Sequence, residues 1–195
     1  VQENIRQLPI GPLDRDSVAH LVADALNRSP EEAKPLSDML YDKAQGNPFF
    51  TNELLRELYK EGAITPDPAS GYWRWDLDAA RWSGVSSDVV EFMVDNLRRL
   101  PVDTQQALQL AACIGSSFDL QTLAAIYQHP VAETATTLLP ALKQHTLLPL
   151  HSDYRLLDGQ TEDENNDQLE LNPSYSFQHD RVQQAAYALI DSQRL

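Results

Sequence analysis

Apolar residues in this chain recur with the helical period, but only in short runs, and a cap, a proline or a glycine bounds nearly every run. Val18, Leu21, Val22, Ala25 and Leu26 fall at i, i+3, i+4, i+7 and i+8, one face of a helix that Asp14 or Asp16 can cap. Ser29-Pro30-Glu31-Glu32 reads as a capping box with proline at the first helical position. Leu36, Met39, Leu40 and Ala44 continue that apolar face to Gly46. Asn47 caps a third helix with Pro48 at its first position, and Phe50, Leu54, Leu55 and Leu58 carry it to Gly62. Helices this short are held by packing against one another, so the first stretch predicts a small helical bundle.

Residues 63–84 change character. Pro66 and Pro68 break the helical pattern, and Tyr72-Trp73-Arg74-Trp75-Asp76 alternates like a strand with both tryptophans on one side. A second helical unit starts near Ser87 with the stripe Val90, Met93, Val94 and Leu97, and Pro101 stops it. Asp103-Thr104-Gln105-Gln106 predicts a second capping box, opening a helix through Leu108, Ala111, Ala112 and Ile114 to Gly115. Asp119 caps a helix carrying Leu120, Leu123, Ala124 and Tyr127. Pro130 opens another with Val131, Ala135, Leu138, Leu139 and Leu142, in which Pro140 predicts a kink or an early end. Leu147–Leu150 and the alternating Tyr175 and Phe177 read as two strands. Asp180-Arg181-Val182-Gln183 predicts a third capping box, with His179 just before it, for a last helix carrying Val182, Ala185, Ala186 and Leu189. The expected fold is mainly α: a helical bundle over 1–65, a β-containing linker over 66–84, and a winged-helix domain over 85–195 with a short β hairpin.

Charge narrows the function. Fifteen basic and 29 acidic residues leave a net −14. Ser152–Glu170 holds seven acids and one base, so this wing insertion reads as solvated and mobile. Asp163, Asn165 and Asp167 have the spacing of a calcium loop, but Gln168 replaces its turn glycine and Ser174 its last glutamate, so no metal is assigned. Phosphate backbones need a cationic face, and the helix expected over Val131–Gln144 has Lys143 as its only base beside Glu133, so DNA is disfavoured as a partner. The single cysteine, Cys113, excludes a disulfide framework and reads as a small core residue. No apolar run approaches the roughly 20 residues of a membrane span, and no signal peptide opens the chain. A cytoplasmic protein without membrane contact is therefore expected. Because Val1 is not a methionine, the chain is expected to be a piece of a longer one.

None of the seven glycines sits in GxxxxGK[ST] or GxGxxG, and neither GxSxG nor HExxH occurs. The chain alone is thus expected to hold no cofactor and to catalyse nothing. Two junctions remain. Gly46-Asn47-Pro48-Phe49-Phe50 is either a sharp helix–helix turn or a rigid proline and helix N-terminus presented to a ligand. Phe177-Gln178-His179-Asp180 is either a strand running into a capped helix or a histidine at an anion-attracting helix start.

Leu13–Leu58, with Lys43-Ala44-Gln45-Gly46-Asn47-Pro48-Phe49-Phe50 followed by Glu53-Leu54-Leu55, resembles the helical lid of STAND-class AAA+ signalling ATPases. Trp73-Arg74-Trp75-Asp76, Leu110-Ala111-Ala112-Cys113-Ile114-Gly115 and His179-Asp180-Arg181-Val182-Gln183-Gln184-Ala185-Ala186-Tyr187 look like one subgroup, the ATPase region of bacterial signalling proteins. Those proteins join a Ser/Thr-kinase-like domain, the ATPase, a GAF sensor and often a histidine kinase. The resemblance implies that Gly46 and Pro48 lie against the adenine of ADP or ATP. It implies that His179, with Asp180 beside it, contacts the phosphate; Gln178 stands where the plant-type motif has methionine. The P-loop and the magnesium would belong to an upstream domain of the same chain. A regulatory module of a two-component or Ser/Thr kinase protein follows, open to nucleotide-dependent oligomerisation. A DNA-binding winged helix and a nucleotide-independent protein-interaction module are the alternatives.

Overall fold

The computed structural model describes residues 10–76, 88–150 and 172–192, with the side chains of residues 191 and 192 excepted. The acidic insertion 152–170, with its calcium-like spacing, lies outside the described residues. The chain divides into two compact units, Val1–Ser87 and Asp88–Leu195.

The first unit contains α1 (Arg15–Leu26), α2 (Pro30–Ala44) and α3 (Pro48–Lys60), then a hairpin of β1 (Ile64–Asp67) and β2 (Tyr72–Trp75). Each helix start satisfies amide groups that have no partner within the helix. Asp14 accepts from Ser17 N–H, Ser29 and Glu32 form the reciprocal capping box, and Asn47 accepts from Phe50 N–H. Val18 and Val22 of α1, Leu36 and Leu40 of α2, and Leu54 and Leu58 of α3 are buried. Burying side chains of this size contributes about 1.5–3 kcal/mol each. The hairpin is antiparallel, with Ile64 opposite Trp75 and Asp67 opposite Tyr72. Arg28, at the end of α1, fastens it: Nε and Nη2 donate to the Trp73 carbonyl at 3.2 and 3.1 Å. The Trp73 ring meets Tyr59 of α3 edge-on, centroids 5.6 Å apart.

The second unit contains α4 (Val89–Arg98), α5 (Val102–Ile114), β3 (Ser117–Asp119), α6 (Leu120–Tyr127), α7 (Val131–Lys143), β4 (Leu147–Pro149), β5 (Ser174–Phe177) and α8 (Asp180–Ser192). The strands form one antiparallel sheet in the order β3-β5-β4, the connectivity of a winged helix. Phe118 pairs with Tyr175, and Leu147 with Phe177. The mainly α class, a helical bundle followed by a winged-helix unit, is therefore present, and β3 adds a third strand to the expected pair.

Four local expectations are corrected. Pro101 sets the start of α5 at Val102, so Asp103 lies inside the helix and no side chain caps it. Gln105 instead donates to the Arg98 and Leu100 carbonyls at 3.1 and 2.8 Å, closing the end of α4. Pro140 does not end α7 early. It offers no N–H to the Thr136 carbonyl, while the next carbonyl, Thr137, accepts the buried Thr104 hydroxyl at 2.8 Å. Cys113 is exposed, because α5 turns Ala107, Leu108, Ala111 and Ala112 inward and the thiol points past that stripe. Asp180 belongs to the first turn of α8 and is not its cap.

Candidate functional site

The Gly46–Pro48 junction is built by two successive left-handed residues. Gln45 (φ 51°) closes α2 and Gly46 (φ 77°) reverses the chain. Asn47 then returns to extended backbone and caps α3, its carbonyl taking the Thr51 hydroxyl at 2.9 Å. Gly46 is buried under the segment that leads into α1, and its carbonyl accepts the Leu13 N–H at 2.8 Å. A Cβ at Gly46 would overlap the Leu13 carbonyl oxygen. Close backbone approach and positive φ both demand glycine here. Gly46 is thus covered by the chain's own backbone, and Pro48 is the exposed member of the pair.

At the second junction β5 ends at Phe177 and α8 begins at Asp180. His179 is the N-cap, one place nearer the helix than expected. Its carbonyl accepts from the Val182 and Gln183 N–H groups at 2.9 and 3.3 Å, and its Nδ1 accepts from the Arg181 N–H at 3.1 Å. An accepting Nδ1 carries no proton, so this bond assigns the ring N–H to Nε2. The adjacent Gln178 N–H donates to the Thr146 carbonyl at 3.1 Å, tying the junction to the turn between α7 and β4. His179 is half-buried and Asp180 is exposed in the first turn, where a carboxylate complements the helix dipole.

Gly46 and Pro48 therefore share one junction in the first unit, and His179 and Asp180 share another in the second. The sheet beside the second junction is anchored by Asp119. Its carboxylate accepts from Thr122 N–H at 2.8 Å, the Thr122 hydroxyl at 2.7 Å and the Asn172 amide at 2.9 Å. The Thr122 N–H, followed by the Asn172 amide and the Thr122 hydroxyl, holds its pKa below the ordinary 3.8. Nothing in the sequence pattern singled out Arg28, 45 residues before the carbonyl it holds. The aromatic run Tyr72-Trp73-Arg74-Trp75 was the available signal, since indole and phenol faces attract a cation. Among the described residues no three His, Cys, Asp or Glu side chains converge as metal ligands, and no helix is long and apolar enough to cross a membrane.

No family model matches the chain, and no solved structure matches it. Among curated proteins, the hybrid signal transduction histidine kinase G of Dictyostelium discoideum is 32% identical over 201 residues, which cover 91% of this chain. The chain spans 6% of the length of that protein. Nearly all of both units is thus similar to one short stretch of a far longer signal-transduction histidine kinase.

Proposed function

We propose that the chain is the regulatory lid and winged helix of a STAND-type signalling ATPase. In this reading it closes over ADP or ATP held by an upstream P-loop domain and controls the output of linked kinase domains. The observation that carries its signalling part is the similarity to a segment of a signal-transduction histidine kinase, and its STAND part rests on the resemblance of Leu13–Leu58 and His179–Tyr187 to that class. The two junctions support it in kind. Pro48 offers an exposed, rigid ring beside the N-terminus of α3, suited to the flat face of adenine. His179 Nδ1 accepts from the α8 backbone, so in this reading the ring donor toward a phosphate oxygen is Nε2–H. Asp180 carries the same sign of charge as phosphate, so its part is to steady the helix turn that aims His179. Kinase control follows as a two-state device in which closed and open arrangements make different contacts with the two nucleotides.

The test uses the longer polypeptide that the proposal requires, with His179→Asn as the informative change. Asparagine can replace the capping acceptor but not the Nε2 donor. Melting should stay near the parent value while ADP dissociates faster. An ADP off-rate unchanged in both His179→Asn and His179→Ala would remove His179 from the site. Residues 1–195 alone should bind ADP negligibly.

A further inference from the structure

The β1–β2 hairpin and Arg28 bring two arginines and two tryptophans to one shallow, open cavity of about 310 Å³, lined by Arg28, Trp73, Arg74 and Trp75. Arg28 is held in a fixed pose. Two of its nitrogens are spent on the Trp73 carbonyl, and its guanidinium lies 4.6 Å from the Tyr72 ring centroid and 5.9 Å from that of Trp75. The remaining nitrogen, Nη1, has Glu32 as its ion-pair partner at 3.7 Å, beyond hydrogen-bond reach. Arg74 reaches Asp67 only at 3.7 Å. Among the described residues, neither Arg28 Nη1 nor the Arg74 side chain makes a hydrogen bond. Among the described residues the cavity therefore combines two indole-bearing residues with two guanidinium groups whose carboxylate partners stand at 3.7 Å, and no acidic side chain lines it.

We propose that this cavity binds a small aromatic anion, an aryl phosphate or aryl carboxylate. A guanidinium fork matches either oxyanion, and indole faces stack on an aryl ring. The volume lies at the small end of ligand sites, which suits one ring with its oxyanion. The chain as a whole carries −14, so recognition depends on these two cations rather than on the general field. A free metabolite and the side chain of a phosphotyrosine peptide share this chemistry.

The chain has three tryptophans, so Trp82→Phe leaves Trp73 and Trp75 as reporters for a fluorescence titration with phenyl phosphate. The expected result is a saturable change. Arg74→Ala should weaken it by about tenfold or more, as for a lost charged hydrogen bond. Arg74 is exposed, so this variant keeps its far-UV circular dichroism, and phosphorus NMR broadening of phenyl phosphate gives an independent readout. Inorganic phosphate and phenol should each bind far more weakly. Equal binding of phenyl phosphate and a phosphotyrosine peptide supports recognition of the aryl anion alone, and tighter peptide binding assigns its source to protein-borne phosphotyrosine. The proposal is overturned by an absence of saturation at millimolar phenyl phosphate, by an undiminished response in Arg74→Ala, or by inorganic phosphate binding equally well.

Discussion

Gly46 and Gly62 make a controlled pair, because both have φ 77° and they differ in what surrounds them. A Cβ at Gly62 would meet nothing within 4 Å, so Gly62→Ala carries only the conformational cost of an L residue in the left-handed region. That cost is ~1–2 kcal/mol. Gly46→Ala carries the same cost and adds a collision with the Leu13 carbonyl oxygen. The neighbour is backbone, so no side chain can swing aside. Relief requires the segment before α1 to withdraw, which breaks the Leu13 N–H to Gly46 carbonyl bond of 2.8 Å. A broken bond that leaves a buried group unsatisfied costs about 1–3 kcal/mol. Gly46→Ala should therefore exceed Gly62→Ala by about 2 kcal/mol. Urea unfolding followed by tryptophan fluorescence is the assay, since Trp73, Trp75 and Trp82 all fall in the first unit. Unchanged slopes with a lower midpoint would mark a stability effect. Equal losses in the two variants, within about 0.5 kcal/mol, would refute the close-approach account of Gly46.

Arg28→Lys should destabilise the first unit by about 1–3 kcal/mol, because an ammonium cannot fork onto the Trp73 carbonyl while lying over Tyr72. The same unfolding assay reads it, and an unchanged midpoint would show that the hairpin does not depend on this clasp. Asp119→Ala should cost the second unit about 1 kcal/mol at neutral pH, as for other N-cap losses. Asp119 has a folded pKa depressed below 3.8, so its contribution is full above that value and disappears as pH falls through the depressed one. Melting curves of the two proteins should converge in strong acid; a gap that persists there would contradict this assignment.

Four helix starts were legible because their bonds span three residues. Asp14 to Ser17, Ser29 to Glu32, Asn47 to Phe50 and Asp119 to Thr122 each use a short polar side chain and an amide in the next turn. What was missed depends on distant partners. β3 is three residues long and exists through pairing with β5, more than 50 positions later, so alternation within it carries almost no signal. Gln105 looked like part of a capping box, but the competing acceptors were carbonyls at the end of α4, and Pro101 had already set where α5 begins. Pro140 looked like a stop. Its missing N–H is a local cost, yet the surrounding helix is locked by Leu138, Ala141 and Thr134 in the core, and tertiary packing outweighs one lost bond. At the candidate site, the turn at Gly46 was visible locally, whereas the cap of α8 was read one residue late, at Asp180 in place of His179. The cover of Leu13 over Gly46 was not, because the contact joins positions 33 residues apart.

Both junctions have structural work that is independent of any ligand. Gly46 is required by its φ and by Leu13, and His179 is required by the start of α8. Loss of function on replacing either by alanine would therefore follow from loosening the fold as readily as from removing a nucleotide contact. Pro48 and His179→Asn separate the two causes. Pro48 is exposed at a helix start where its missing N–H costs nothing, so Pro48→Ala should alter stability by less than about 1 kcal/mol. His179→Asn retains a capping acceptor and removes a donor. If both variants melt normally and both release ADP faster, each junction has a part in nucleotide retention beyond its part in the fold. If both melt normally and retain ADP like the parent, these junctions serve the fold alone, and the regulatory reading loses its site while the fastening of each helix stands.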